Sequence, residues 1–336
     1  MIGMILCGGL GKRFRAFSQG TPKTLFEIKP GYTITDRQLF QYRSAGVDRV
    51  VLLTAHLGEK VEKTLGSKRM GVKLDYVQED KPRGTLNAIR LGMEFVKDDV
   101  IVSNGDVVTD LNLKRMWEDW KKSGMRGSIF VTPMKSPYGI IEFSGKRINA
   151  FREKPVLKHH INAGFYCLSK DVLPVLEKFK VGNIETTAFP ELAAKRQLTY
   201  YKEEGMPFWI SVDTPKELET VTKEYSNRID KPWGYEKVLK LDRTKMEKLL
   251  YIMAGHRTSL HYHKVRDEKL QVLQGSGWVE YEGGERRSFK SGSMIHIKPK
   301  TVHSFVAGRN TLMKETSTPH PGDVVRVKDF YDFRLK

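Results

Sequence analysis

The chain has 336 residues, with 58 Lys and Arg against 40 Asp and Glu and a formal net charge of +18. At 39% hydrophobic residues it can build a core, which excludes a disordered chain, and its length suggests one large or two ordinary domains. No apolar stretch approaches a membrane span, which excludes an integral membrane protein; residues 1–6 lack signal-peptide character and Cys7 and Cys167 stand far apart, which disfavours a disulfide-scaffolded secreted protein and favours a cytoplasmic one. The basic excess fits nucleic acid, an anionic membrane or anionic small substrates. It is spread along the chain among acidic neighbours, with no run of five cations, so a solvated surface is the simpler reading.

Residues 2–7 form an apolar run ending in Gly8-Gly9, a strand feeding a loop. Thr35-Asp36-Arg37-Gln38 has capping-box form and opens a helix ending near Gly46. Val50–Leu53 reads as a buried strand, residues 58–65 as a helix, and Leu74–Val77, 85–95 and Val100–Val102 repeat the strand–helix–strand theme. Such alternation predicts an α/β fold with a mainly parallel sheet and helices on both faces. Ligands then bind beyond the carboxyl ends of the strands, where Gly8-Gly9 and Asn104-Gly105-Asp106 fall. From about Asp230 the helical period disappears, and short alternating runs with regular glycines predict an antiparallel barrel or sandwich. The polar stretch 226–232 marks the boundary, giving domains 1–228 and 229–336.

Gly8, Gly9 and Gly11 directly follow a strand, so backbone N–H groups can approach a phosphate chain, and Lys12, Arg13 and Lys23 add charge there. Neither the Walker lysine spacing nor the dinucleotide spacing is met. Gly8-Gly9-Leu10-Gly11-Lys12-Arg13 with Pro22-Lys23, then Glu79–Thr85, Ser103–Asp106, Glu153-Lys154-Pro155 and Asn162–Tyr166 together resemble the sugar-1-phosphate nucleotidyltransferase family, in the family's order over about 200 residues. The resemblance implies a Rossmann-like domain in which a sugar 1-phosphate attacks the α-phosphorus of an NTP and releases pyrophosphate. It implies catalytic roles for Arg13, Lys23 and Asp106, nucleotide contacts from Gly8, Gly9, Gly11, Lys12, Glu79 and Gly84, and sugar-phosphate contacts from Glu153, Lys154, Asn162 and Gly164. Mg²⁺ would sit on Asp106 and a second ligand, for which Ser211 and Asp213 stand in alternative registers. Asp213 is favoured because serine is a poor Mg²⁺ ligand. Where small residues are commoner stands Asn87, which either widens the base contacts or caps a helix, capping being the simpler reading. Guanine offers adjacent N1–H and N2–H donors that a carboxylate such as Glu79 could accept together, which favours GTP, although this domain by itself leaves the base open.

In the last third, His261 and His263 stand two apart on a strand with Glu268 in reach from the neighbouring strand, and His303 closes a second segment. Three imidazoles and a carboxylate suit a divalent transition metal, Zn²⁺ first among Zn²⁺, Fe²⁺, Mn²⁺ and Ni²⁺. His256, His296, His159 and His160 lack such company. With Lys231–Gly234 and Asp323–Arg326, this segment resembles the cupins, most closely the cupin-type mannose-6-phosphate isomerases. The resemblance implies an all-β double-stranded β-helix, or jelly-roll barrel, in which the metal polarises a hexose-phosphate carbonyl. It departs at Phe330–Phe333 and at Lys298 and Lys300, where proline and glycine are usual. Arg266, Lys300 and Arg326 are candidates for the phosphate. Pairing the two resemblances points to mannose and GTP, with NTP and sugar phosphates as partners, a homodimer, and neither nucleic acid nor membrane. The alternative is a transferase for another sugar, using CTP, dTTP or UTP, whose barrel binds sugar or a second copy without isomerising.

Overall fold

The computed structural model describes residues 1–9, 20–205 and 207–333, so Gly11, Lys12 and Arg13 lie outside the described residues. The described residues form two compact units, one of residues 1–9, 49–67 and 74–211, the other of 20–48, 68–73 and 212–333.

The first unit is α/β. Its sheet runs Leu198–Lys202, Gly127–Lys135, Val156–Leu168, Val100–Asn104, Ile2–Leu6, Arg49–Thr54 and then Val72–Gln78. Ile2–Leu6 is parallel to both its neighbours, pairing Met4 with Val51 and with Val102. Val156–Leu168 runs antiparallel to the strands on either side of it, so the sheet is mixed. Continuous apolar runs such as Val50–Leu53 and Val100–Val102 suit strands covered on both faces. The helix Thr85–Val96 turns Leu86, Ile89 and Met93, at helical spacing, onto Met4, Leu53 and Val102. It can approach because Gly92 has no side chain: a Cβ there would lie 2.7 Å from Leu53 Cδ2.

The second unit joins two helices to an antiparallel β structure. Helix Ile34–Ser44 has its capping box at Thr33 and Asp36, two residues before the expected Thr35–Gln38. Thr35 already donates its hydroxyl to Thr24 O at 2.8 Å, while Asp36 accepts the Thr33 N–H and is held by Arg69. Helix Pro215–Tyr225 starts from a Thr214–Glu217 box with Pro215 in its first turn. Beyond it stand a six-stranded sheet (228–231, 234–241, 246–252, 311–317, 268–274, 294–297) and a five-stranded sheet (286–290, 276–281, 303–307, 260–263, 324–328). Leu250, Ile252, Leu270 and Met313 from one sheet and Val279, Phe289, Phe305 and Ala307 from the other share a single core.

The polar stretch 226–232 is only partly solvent-facing, with Ser226 and Asn227 exposed and Arg228 and Asp230 buried. Arg228–Lys231 is a strand, and buried Asp230 accepts hydrogen bonds from Tyr32 Oη at 2.9 Å and Arg228 Nε at 2.8 Å, with Arg37 Nε at 3.6 Å. The charges of Arg228 and Asp230 are spent on internal pairing, which composition cannot distinguish from hydration. The Phe330–Phe333 departure also has a structural use: Phe333 packs edge-on against Phe40, Asp332 pairs with Arg43, and Tyr331 stacks on His256. Among the described residues, no helix is long and apolar enough to cross a membrane.

Candidate functional site

In the first unit, three hydrogen bonds just past the strands align their carboxyl ends. Cys7 N–H donates to Leu53 O at 2.7 Å, Glu79 N–H to Thr54 O at 2.9 Å, and Gly105 N–H to Leu6 O at 3.1 Å. Gly8-Gly9, residues 55–60, Glu79 and Asn104–Asp106 therefore share one edge of the sheet. A cavity of about 520 Å³ opens there, lined by Ala55, His56, Gly58, Gln78, Glu79 and Pro82 among others. A Cβ on Gly8 would come within 3.1 Å of Ala55 Cβ, whereas one on Gly9 would meet nothing. Gly84 needs its glycine for packing as well: at φ +98°, a Cβ would lie 2.1 Å from Gly182 O.

Glu79 is buried at the cavity wall and accepts from Asn87 Nδ2 at 2.5 Å. The helix N-cap is Gly84, so Asn87 does not cap as expected; it faces the carboxylate. Asp106 occupies the turn between Val100–Asn104 and Val107–Thr109. Glu153 and Lys154 are exposed and 3.7 Å apart, following the hairpin Ile140–Ser144/Arg147–Arg152. Asn162 accepts from Gly164 N–H at 2.9 Å and donates to Tyr166 Oη at 3.0 Å. Tyr166 in turn meets Glu185, which also accepts from Thr85. Glu185 thus ties Tyr166 to Thr85, which stands 100 residues from it in sequence, a link that no local motif announces. Ser211 pairs with Val107 in a short antiparallel ladder.

In the second unit, Lys23 Nζ donates to Asp213 Oδ1 at 2.8 Å. The two residues named separately for catalysis and Mg²⁺ binding are therefore partners of each other.

The barrel of the second unit gathers His261, His263 and His303, one ring nitrogen of each lying within 4.8 Å of the others. All three stand on the five-stranded sheet, where His261 pairs directly with His303. Glu268 approaches from the six-stranded sheet, not from a neighbouring strand as expected, because the strand after His263 crosses to the other sheet. Its oxygens lie 3.0 Å from His263 Nε2 and 3.5 Å from His303 Nε2. Each Nδ1 is already committed: to Ser259 O at 2.8 Å, Asp323 Oδ1 at 2.9 Å and Thr301 O at 2.9 Å. The two carbonyl acceptors make Nδ1 the protonated nitrogen of His261 and His303 and leave their Nε2 atoms for the centre, while His263 Nδ1 meets both Asp323 and Arg266 Nη2, the latter at 2.9 Å. His303 Nε2 is buried without a hydrogen bond. Burial, with the neighbouring imidazoles, pushes His261 down to about 3, so it is neutral as a ligand must be. Burial alone would raise the Glu268 carboxyl, but His263 and His303 hold it well below the usual range. Three clustered imidazoles, an ionised carboxylate and a buried Nε2 without a hydrogen bond have donor chemistry that fits a divalent metal.

Asp323, quoted only as part of a segment in the sequence, proves to be the orienting residue. It takes His263 Nδ1 and Arg266 Nε on one oxygen and the N–H groups of Val265 and Arg266 on the other. Arg266 leaves the phosphate candidates: it is buried between Asp323, Glu268 and Glu315. Lys300 and Arg326 remain exposed. His256 and His296 are ordinary, bonded to Tyr331 and Asp267.

The nucleotidyl transferase family profile matches residues 2–228. The chain is 32% identical over 233 residues to the mannose-1-phosphate guanylyltransferase catalytic subunit beta of Danio rerio, covering 66% of this chain and 63% of that protein. It is 32% identical over 243 residues to the mannose-1-phosphate guanyltransferase of Saccharomyces cerevisiae, covering 69% and 66%. The chain thus spans just under two thirds of the length of these relatives. The crystal structure of HddC from Yersinia pseudotuberculosis superposes with a TM-score of 0.53 at 22% identity, over 67% of this chain and 99% of that one, a likeness of fold.

Proposed function

The chain belongs to the nucleotidyl transferase family, and from that premise we propose that it transfers the nucleotidyl group of GTP to mannose 1-phosphate with release of pyrophosphate. The observation that carries the reading is the one sheet edge at which Gly8-Gly9, Glu79 and Asp106 follow their strands, with Glu79 in the wall of a cavity of about 520 Å³. In the reaction a sugar-phosphate oxygen bonds to the α-phosphorus while the bond from that phosphorus to the pyrophosphate oxygen breaks. No covalent enzyme intermediate is required, so the protein's work is to position two anions and offset their charge. Gly8 and Gly9 leave backbone N–H groups accessible to phosphate, and Glu79 accepts from the base. Glu153 accepts from sugar hydroxyls, and Lys154 meets the sugar phosphate. Asp106, a carboxylate in a polar turn, has the donor chemistry for Mg²⁺, which when bound neutralises phosphate charge. Lys23 brings a cation held by Asp213, and a metal at Asp213 would compete with Lys23 for Oδ1.

For residues 229–336 we propose a cupin that isomerises mannose 6-phosphate and fructose 6-phosphate. The support is the set of three imidazoles with committed Nδ1 atoms facing Glu268. His261, His263, His303 and Glu268 would hold Zn²⁺ or a similar ion, which when bound polarises a carbonyl. Lys300 and Arg326 supply exposed cations for the phosphate.

The test presents each NTP with mannose 1-phosphate or glucose 1-phosphate and Mg²⁺, and separately mannose 6-phosphate with Zn²⁺. Pyrophosphate should be released fastest from GTP with mannose 1-phosphate, and fructose 6-phosphate should form in the second reaction. A better rate with CTP, dTTP or UTP and another sugar removes the mannose assignment. Absence of fructose 6-phosphate with every metal makes the barrel a binding module.

A further inference from the structure

The Asn87 contact extends beyond the expected site residues. Asn87 lies on the helix Thr85–Val96, with its side chain buried beside the cavity. Its Nδ2 donates to Glu79 Oε1 at 2.5 Å, and its Oδ1 accepts from Arg90 at 2.8 Å. Arg90 is held by Glu94 one turn further along. The orientation of the amide is not arbitrary: a guanidinium only donates and an ionised carboxylate only accepts, so Asn87 can join them in one way alone. Glu94, Arg90, Asn87 and Glu79 form a chain that ends at the cavity wall, with the Glu79 backbone fixed to Thr54 O.

We propose that Asn87 is a specificity-determining positioning residue that fixes the Glu79 carboxylate to accept the two adjacent N–H donors of guanine. The inference rests on the reading of this cavity as the base site. A carboxylate has about four lone-pair positions, and Asn87 occupies one on Oε1, so both oxygens retain accepting capacity. Guanine offers N1–H and an N2 amine side by side and matches such a carboxylate. Adenine and cytosine put an acceptor nitrogen against it. Uracil and thymine offer one N–H flanked by two carbonyls, which repel the outer oxygens. These differences count only while the carboxylate is kept at the wall. Without its amide partner Glu79 is free to turn, and the ordering cost falls on the binding step.

Hypoxanthine is guanine without the N2 amine, so GTP against ITP isolates this contact. The experiment measures equilibrium binding of both nucleotides, with Mg²⁺, to the full chain and to Asn87→Asp, Asn87→Ala and Arg90→Ala. Asn87→Asp keeps the shape but sets a second carboxylate against Glu79. The unaltered protein should prefer GTP by about tenfold or more, the effect of one hydrogen bond to a charged acceptor. Both Asn87 variants should bring the ratio to about threefold or less, GTP losing two contacts to the displaced carboxylate where ITP loses only that of N1–H, and Arg90→Ala should fall between. A merely structural role would weaken both nucleotides together. If thermal melting shows that an Asn87 variant is unfolded, the half-buried Arg90 position decides. A GTP/ITP ratio unchanged in folded variants overturns the role of Asn87 and leaves the base site standing. Failure of the unaltered chain to bind any NTP overturns the base-site reading and this inference with it.

Discussion

Removing the Asp323 carboxylate tests whether the three imidazoles are organised for a metal or merely adjacent. Asp323 fixes His263 through Nδ1 at 2.9 Å and holds the turn to Glu268 through the backbone N–H groups of Val265 and Arg266 at 2.9 and 2.8 Å. Asp323→Ala leaves all four primary donors in place, but frees the His263 ring and loosens the turn. Outer-shell losses of this kind lower metal affinity by roughly 10–100-fold, about 1.4–2.7 kcal/mol. Asp323→Asn can still accept from His263 Nδ1 but has lost its charge, so it should sit at the low end of that range. The assay is Zn²⁺ competition against a chromophoric chelator at pH 7, with His261→Ala as reference and apo-protein melting as a control for folding. Unchanged Zn²⁺ affinity in Asp323→Ala, where His261→Ala loses it, would refute the orientation argument. Full affinity in both would show that these histidines do not hold the metal.

Replacing Asp230 by Ala strands Arg228 and Arg37 in the interior and removes the Tyr32 acceptor, and should cost about 3–5 kcal/mol in urea unfolding; a loss under about 1 kcal/mol would contradict the pairing. Burial alone would raise the Asp230 carboxyl, but Arg228 and Arg37 hold it below its ordinary value. The unfolded chain therefore binds the proton first, and the contribution of Asp230 is present above the ordinary carboxylate pKa and lost as pH falls through the lower folded value; Asp230→Asn should flatten that acid limb of the stability curve. Gly84→Ala forces a Cβ onto Gly182 O at a φ few L-residues adopt, and should cost roughly 2–4 kcal/mol; a smaller loss would show that this loop gives way. Lys300 sits at φ +66°, so Lys300→Gly should leave the fold unchanged or stabilise it by up to about 1 kcal/mol, whereas a clear loss in denaturant titration would mean that its side chain does more than tolerate the turn.

Periodicity and turn residues made the strand–helix alternation legible, because Val50–Leu53 and Val100–Val102 could only be buried strands and Gly8-Gly9 had to leave the sheet. The capping box was misplaced by two residues, since Thr33–Asp36 and Thr35–Gln38 look alike until Thr24 claims the Thr35 hydroxyl. That His261 and His263 share a face was readable from their i, i+2 spacing, which the backbone enforces. Asp323, Glu185 and the reach of Asn87 were not, because each acts on a partner distant in sequence or one turn away, and side-chain direction is settled only by packing. Arg266 shows the opposite error: an arginine beside the clustered histidines reads as a candidate for the phosphate until three carboxylates surround it in the interior.

The central claim is nucleotidyl transfer to a sugar 1-phosphate, and the fate of the α-phosphate tests it most directly. With GTP labelled at the α-phosphorus, mannose 1-phosphate and Mg²⁺, the account predicts that the label appears in a GDP-sugar, while label at the γ-position appears in pyrophosphate. Release of the γ-label as inorganic phosphate, with the α-label left in GDP, would contradict it.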